Sequence, residues 1–84
     1  MSETAELDAR RLLCPMPVIR TQDRIRDMHA GDRLTIHCTD PGVLHDIPTW
    51  CRINGHRVLG LRDAGREVFV TIEVGTAADE GRPA

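Results

Sequence analysis

Residues 33–38 read Arg-Leu-Thr-Ile-His-Cys, and Asp40-Pro41 follow almost at once. Leu34, Ile36 and Cys38 alternate with Arg33, Thr35 and His37. That period of two puts one set of side chains on a buried face of a sheet and the other on an open face. Asp40 reads as a helix N-cap. Pro41 reads as the first helical residue, where a missing N–H costs nothing. A strand running straight into a helix predicts an α/β layering, and the flanking sequence extends the pattern in both directions.

Towards the C-terminus, Val43, Ile47, Trp50 and Cys51 recur at helical spacing. Pro48 falls inside this helix and is expected to kink it or break it into two short turns. Asn54-Gly55 should end it. Residues 56–62 and 67–74 read as strands joined by the tight turn Asp63-Ala64-Gly65-Arg66. Val68, Val70, Ile72 and Val74 would share the core face, with Phe69, Thr71 and Glu73 outward. Towards the N-terminus, Cys14-Pro15-Met16-Pro17 opens a first helix running to about His29. Val18, Ile25 and Met28 lie on one face of it, and Gly31 is its natural stop. Residues 5–9 supply a short first strand. The order β-α-β-α-β-β implies a two-layer α/β sandwich with both helices on one face of the sheet. It is read as one domain over residues 5–74, with 75–84 a flexible C-terminal tail.

The 84 residues leave room for one modest core. Eleven basic and thirteen acidic residues give a net charge of −2, the wrong balance for tight nucleic-acid binding. All the basic residues are Arg; without Lys, Schiff-base catalysis has no side chain to work with. No apolar run reaches the ~20 residues of a membrane span. The opening MSETAELDAR has neither the basic nor the apolar region of a secretory signal, so the expected location is cytoplasmic, with no membrane partner. His29, His37, His45 and His56 are scattered and default to surface positions. No metal and no cofactor are expected. No exposed apolar stripe is evident apart from Phe69, which favours a monomer.

Three cysteines carry the chemical question. No two have the spacing of a zinc site or a C-x-x-C redox pair, and a reducing compartment would leave all three as free thiols. Cys38 and Cys51 fall on apolar stripes and read as core. Cys14 instead sits at the mouth of the first helix. A helix N-terminus favours a thiolate by up to ~2 kcal/mol. That takes an ordinary thiol of pKa ~8.5 to roughly half ionised at neutral pH. Arg10 and Arg11 would add to the field. Pro15 and Pro17 remove two N–H donors but stiffen the platform beneath the sulfur. Arg20 and Arg24 read as solvated helix surface, with docking to an acidic partner as the functional alternative; Arg20, about one and a half turns from the sulfur, is the nearer.

The stretch Leu7-Asp8-Ala9-Arg10-Arg11-Leu12-Leu13-Cys14-Pro15-Met16-Pro17 resembles the TusA family signature, Leu-Asp-x-x-Gly-Leu-x-Cys-Pro-x-Pro. Gly31-Asp32, Asp40-Pro41 and Asp46-Ile47-Pro48 before Trp50-Cys51 extend the likeness over nearly the whole domain. Arg11 stands where the motif prefers Gly, and Met16 where members of the tRNA-modifying branch often carry Glu. The resemblance implies a four-stranded mixed sheet and a sulfur carrier or sulfurtransferase. On that reading Cys14 accepts sulfane sulfur as a persulfide, with Arg11, Pro15, Pro17 and Arg20 in support. The implied donor is a cysteine desulfurase or a rhodanese-like protein, and the implied acceptor a DsrE-type or other relay protein. The implied pathways are tRNA thiolation, sulfur oxidation or supply to molybdenum cofactor. The competing readings are a thiol-independent interaction module, in which Cys14 only caps the helix, and, on fold alone, an RNA-binding module.

Overall fold

A computed structural model describes residues 4–13 and 16–75 of the chain. The elements are β1 (Thr4–Ala9), α1 (Met16–Ile25), β2 (Arg33–Cys38), α2 (Val43–Asn54), β3 (Arg57–Asp63) and β4 (Val68–Glu73). The four strands form one sheet in the order β1-β2-β4-β3. β1 and β2 pair in parallel; β2–β4 and β3–β4 are antiparallel. The architecture is the mixed-sheet α/β sandwich, with the element order anticipated from periodicity.

The core follows from the register. Ala9 pairs with Cys38 and Cys38 with Val68; Leu34 pairs with Ile72, and Ile36 with Val70. Paired residues point to the same side of a sheet, so these side chains make one apolar surface, and all are buried. Thr21 and Ile25 from α1, with Val43, Ile47 and Cys51 from α2, close over it. Val74, just past β4, is also buried. The other face carries Glu6, Thr35 and Thr71 in one row and Asp8, His37, Phe69 and Arg62 in the next. Phe69 points outward, as its alternation required, but the ring is not bare. It stacks on His37 with centroids 4.4 Å apart, and the Arg62 guanidinium lies 5.5 Å from its centre.

Several local expectations are corrected. α1 ends at Ile25, four residues before His29. There the amides of Asp27 and Met28 bond three residues back, to Arg24 and Ile25, which tightens the chain out of the α-helix. Met28 still reaches the core, and the buried Asp32 carboxylate accepts the His29 N–H. The residue facing inward from the middle of α1 is Thr21; its hydroxyl, which hid it from an apolar pattern, donates to the Pro17 carbonyl at 2.8 Å. α2 proper starts at Val43 rather than Pro41, after a tight turn whose Gly42 N–H is held by the Asp40 carboxylate at 2.9 Å. Asp40 therefore caps the turn that leads in. Pro48 does not break α2, which is continuous from Val43 to Asn54. Gly55 ends it at φ 81°, a left-handed geometry open to glycine at little cost, and His56 N–H reaches back to the Cys51 carbonyl. β3 and β4 are displaced from the expected bounds by a residue at their ends. Most of the expected tail, 76–84, lies outside the described residues, as do residues 1–3.

The surface also differs from expectation. Leu13, Met16, Ile19, Ile53, Leu59 and Leu61 are exposed, whereas Phe69 is partly covered. The expectation of a monomer rests on there being no exposed apolar stripe apart from Phe69, and these six exposed side chains remove that ground.

Because Val70 is fully buried at the centre of the sheet, Val70→Ala should destabilise the fold by about 1–3 kcal/mol. A urea melt that matches wild type would contradict the assigned core face.

Candidate functional site

The mouth of α1 is built by the sheet. Since β1 and β2 run parallel, the chain leaves both at the same end, and the β1–α1 connection emerges beside Thr39 and Asp40. Fastening begins at Asp8. Its carboxylate accepts the Arg10 backbone N–H at 3.1 Å and the Arg10 guanidinium through two bonds of 2.9 Å. This pairing holds the Asp8 carboxyl well below the usual carboxylate range. The pair is open to water and adds geometry more than stability.

Arg11 comes next, at φ 66°, the one non-glycine residue with positive φ among those described. Its N–H donates to the Thr39 hydroxyl at 2.9 Å. The TusA signature prefers glycine at this position, and the backbone supplies the reason: a side chain in the left-handed region costs roughly 1–2 kcal/mol that glycine avoids. Further on, Leu13 O accepts the Met16 N–H at 2.8 Å. Pro17 is buried under the first turn of α1, and Arg20 is exposed one turn on. Cys14 and Pro15 lie outside the described residues. Of the expected site residues, Arg11 and Pro17 are thus fixed on either side of them. Among the described residues, neither Arg11 nor Arg20 has an ion-pair partner.

Sequence reasoning missed two features here. The apolar rim, Leu13, Met16 and Ile19, is exposed at three-residue spacing through the motif itself. That spacing was visible in the sequence as apolar residues off the buried stripe. The Thr39 hydroxyl bridges 28 positions, and no local pattern could reveal it.

The other two cysteines are not candidates for exchange. Cys38 and Cys51 are free thiols with no exposed surface. Burial pushes both up to about 11, with the Asp40 and Asp8 carboxylates adding to the effect at Cys38. Among the described residues no group of three or more His, Cys, Asp or Glu could hold a metal ion, and no helix is long and apolar enough to cross a membrane. A shallow depression of about 250 Å³ lies on the open sheet face between Thr35, Gly60, Leu61, Arg62, Phe69 and Thr71, apart from the α1 mouth.

Residues 5–74 match the family described as Sulfurtransferase TusA. The chain belongs to the TusA family. Among its relatives are TusA sulfur carrier proteins of Pseudomonas. That of Pseudomonas putida is 42% identical over 66 residues, covering 77% of this chain and 82% of that protein. That of Pseudomonas syringae is 44% identical over 55 residues, 66% of each chain. YrkF of Bacillus subtilis is 43% identical over 65 residues, but this TusA-family chain spans only about a third of it, 35%. The SirA-like protein of Desulfitobacterium hafniense, a crystal structure, has the same fold, with a TM-score of 0.73 over 84% of this chain and 97% of that one, at 24% identity.

Two predictions follow from the local geometry. Arg11→Gly should stabilise the chain by about 0.5–1 kcal/mol, because relief of the left-handed strain exceeds the added freedom of the unfolded glycine; an unchanged or lowered urea midpoint would contradict it. The second concerns Cys38 and Cys51. They should react slowly with a thiol probe in the native state and quickly after unfolding, and fast native labelling would contradict their burial. The chain has no Tyr and no Lys, so between about pH 9 and 11 cysteines are the side chains that titrate. A folded pKa raised above the unfolded value gives stability that is full below the unfolded pKa and lost as pH rises through the folded one. The urea midpoint should therefore fall from about pH 9 to pH 11, and fall less in Cys51→Ala.

Proposed function

We propose that this TusA-family chain is a persulfide carrier with Cys14 as the sulfur-bearing residue. The observation that carries the reading is the sorting of three cysteines. Two are sealed in the core with raised thiol pKa values, and the third belongs to the Cys-Pro-x-Pro signature at the start of α1.

The chemistry is an exchange without net oxidation. The Cys14 thiolate attacks the terminal sulfur of a donor persulfide, the donor's S–S bond breaks, and the donor thiolate leaves. Cys14 keeps the new S–S bond and the terminal S–H. Delivery repeats the step, with an acceptor cysteine attacking the outer sulfur of Cys14. No metal or organic cofactor is needed for either half.

Among the described residues the depression on the open sheet face is shallow and lies away from the α1 mouth, so partner choice is read as falling to docking around that mouth. Leu13, Met16 and Ile19 offer apolar contact there, and Arg20 and Arg11 offer charge. The donor is read as a cysteine desulfurase or rhodanese-like protein and the acceptor as a DsrE-type or other sulfur-relay protein. The setting is the cytoplasm, in tRNA thiolation or in sulfur oxidation and trafficking. Direct RNA binding is disfavoured by the net charge of −2. It is also disfavoured by the exposed-face aromatic, because Phe69 lies between His37 and Arg62 in its row and leaves no free ring for a base.

Treatment with a cysteine desulfurase and L-cysteine, or with polysulfide, should add one or more sulfur atoms to the intact mass, removable by reductant. Cys14→Ser should abolish the addition and keep the fold, since serine is a good N-cap. Cys38→Ser and Cys51→Ser should still load. A Cys14→Ser chain that loads like wild type would contradict the assignment.

A further inference from the structure

We propose that Thr39 is a positioning residue for sulfur transfer: its hydroxyl fixes the backbone three residues before Cys14. The inference rests on the reading of Cys14 as the carrier. Arg11 occupies a left-handed conformation that an L-residue rarely adopts unaided. The Thr39 hydroxyl accepts the amide of this same residue at 2.9 Å. The fastenings on either side, Asp8 to Arg10 and Leu13 to Met16, are local to the segment. They join the segment to its own flanking elements, β1 and α1, and Leu12 packs against the core, but neither fastening links the segment to β2. The Thr39 bond does, because Thr39 directly follows Cys38 at the end of β2, and Cys38 is buried and paired with both Ala9 and Val68. The Thr39 hydroxyl thus couples Arg11, two residues past β1, to the end of β2.

A nucleophile bound for a partner's persulfide must be presented at one distance and angle, and a misplacement of about 1 Å can cost up to ~100-fold in rate. Losing this tie leaves the Arg11 N–H to water, which is available because Arg11 is exposed. Folding should survive while presentation becomes less definite. The step affected is the exchange itself: the bond from Cys14 to the incoming sulfur forms as the donor's S–S bond breaks and its thiolate leaves.

The test is the rate of sulfur transfer to the full chain from a cysteine desulfurase charged with L-cysteine, followed by intact mass across donor concentrations. Thr39→Val should lower the maximal rate about tenfold, with the half-saturating donor concentration unchanged, and Thr39→Ala should do the same without risk of crowding. Thr39→Ser, which keeps the hydroxyl, should stay within about twofold of wild type. Alkylation of Cys14 by iodoacetamide, a small reagent needing no docked geometry, should change less than about twofold in every variant. Wild-type rates in Thr39→Val and Thr39→Ala would overturn the assignment. So would equal losses in Thr39→Ser, a loss confined to the half-saturating concentration, or a parallel loss of alkylation. A wild-type chain that takes up no sulfur overturns the reading of Cys14 and this assignment with it. Normal wild-type loading with unimpaired Thr39 variants overturns this assignment alone.

Discussion

The parallel pairing of β1 with β2, from Thr4↔Arg33 to Ala9↔Cys38, is the constraint on which the rest depends. Parallel neighbours cannot be joined by a hairpin, so the chain must cross over the sheet, and α1 is that crossover. The pairing also brings the exits of the two strands side by side. Arg11 of the β1–α1 connection then lies within reach of Thr39, and Asp40 starts the descent into α2 at the same end. Antiparallel β4 enters the sheet here too, with Phe69 and Glu67 beside His37. Segments distant in sequence thus converge where the carrier motif begins.

Burial divides the cysteines by chemistry. Cys38 and Cys51 fill core positions next to Leu34, Ile36, Val43 and Ile47, and desolvation makes their thiolates costly. A protein that handles reactive sulfur gains from this arrangement, because an exposed second thiol could attack a persulfide on the first and release its sulfur. With Cys14 as the proposed carrier, the core would serve selectivity as well as stability.

Strand β2 was legible from its alternation alone, residue for residue, because one face is fully buried and the other is wet. Gly55 marked the end of α2 for a reason of backbone geometry that needs no tertiary context. The end of α1 was not legible, because the sequence stays helical in character to His29; what stops the helix is tertiary, the docking of Met28 into the core and the buried Asp32 carboxylate on the His29 amide. At Pro48 the break, one of the two outcomes expected, does not occur, since α2 runs on through the lost hydrogen bond. At the site, the motif named Cys14 and its prolines, and Arg11 stood out as a departure from glycine. Why that departure matters needed φ at Arg11 and the hydroxyl of Thr39, which are facts of three-dimensional neighbourhood.

Trypsin separates the candidate thiols in a single digest. Cleavage after Arg11 and Arg20 releases Cys14 in the peptide Leu12–Arg20, and cleavage after Arg33 and Arg52 releases Cys38 and Cys51 together in Leu34–Arg52. The most direct measurement is to load the native wild-type chain with a cysteine desulfurase and L-cysteine, trap persulfides by alkylation, and weigh both peptides. The added sulfur is expected on Leu12–Arg20, with none on Leu34–Arg52. Sulfur on Leu34–Arg52, with Leu12–Arg20 unmodified, would contradict Cys14 as the carrier.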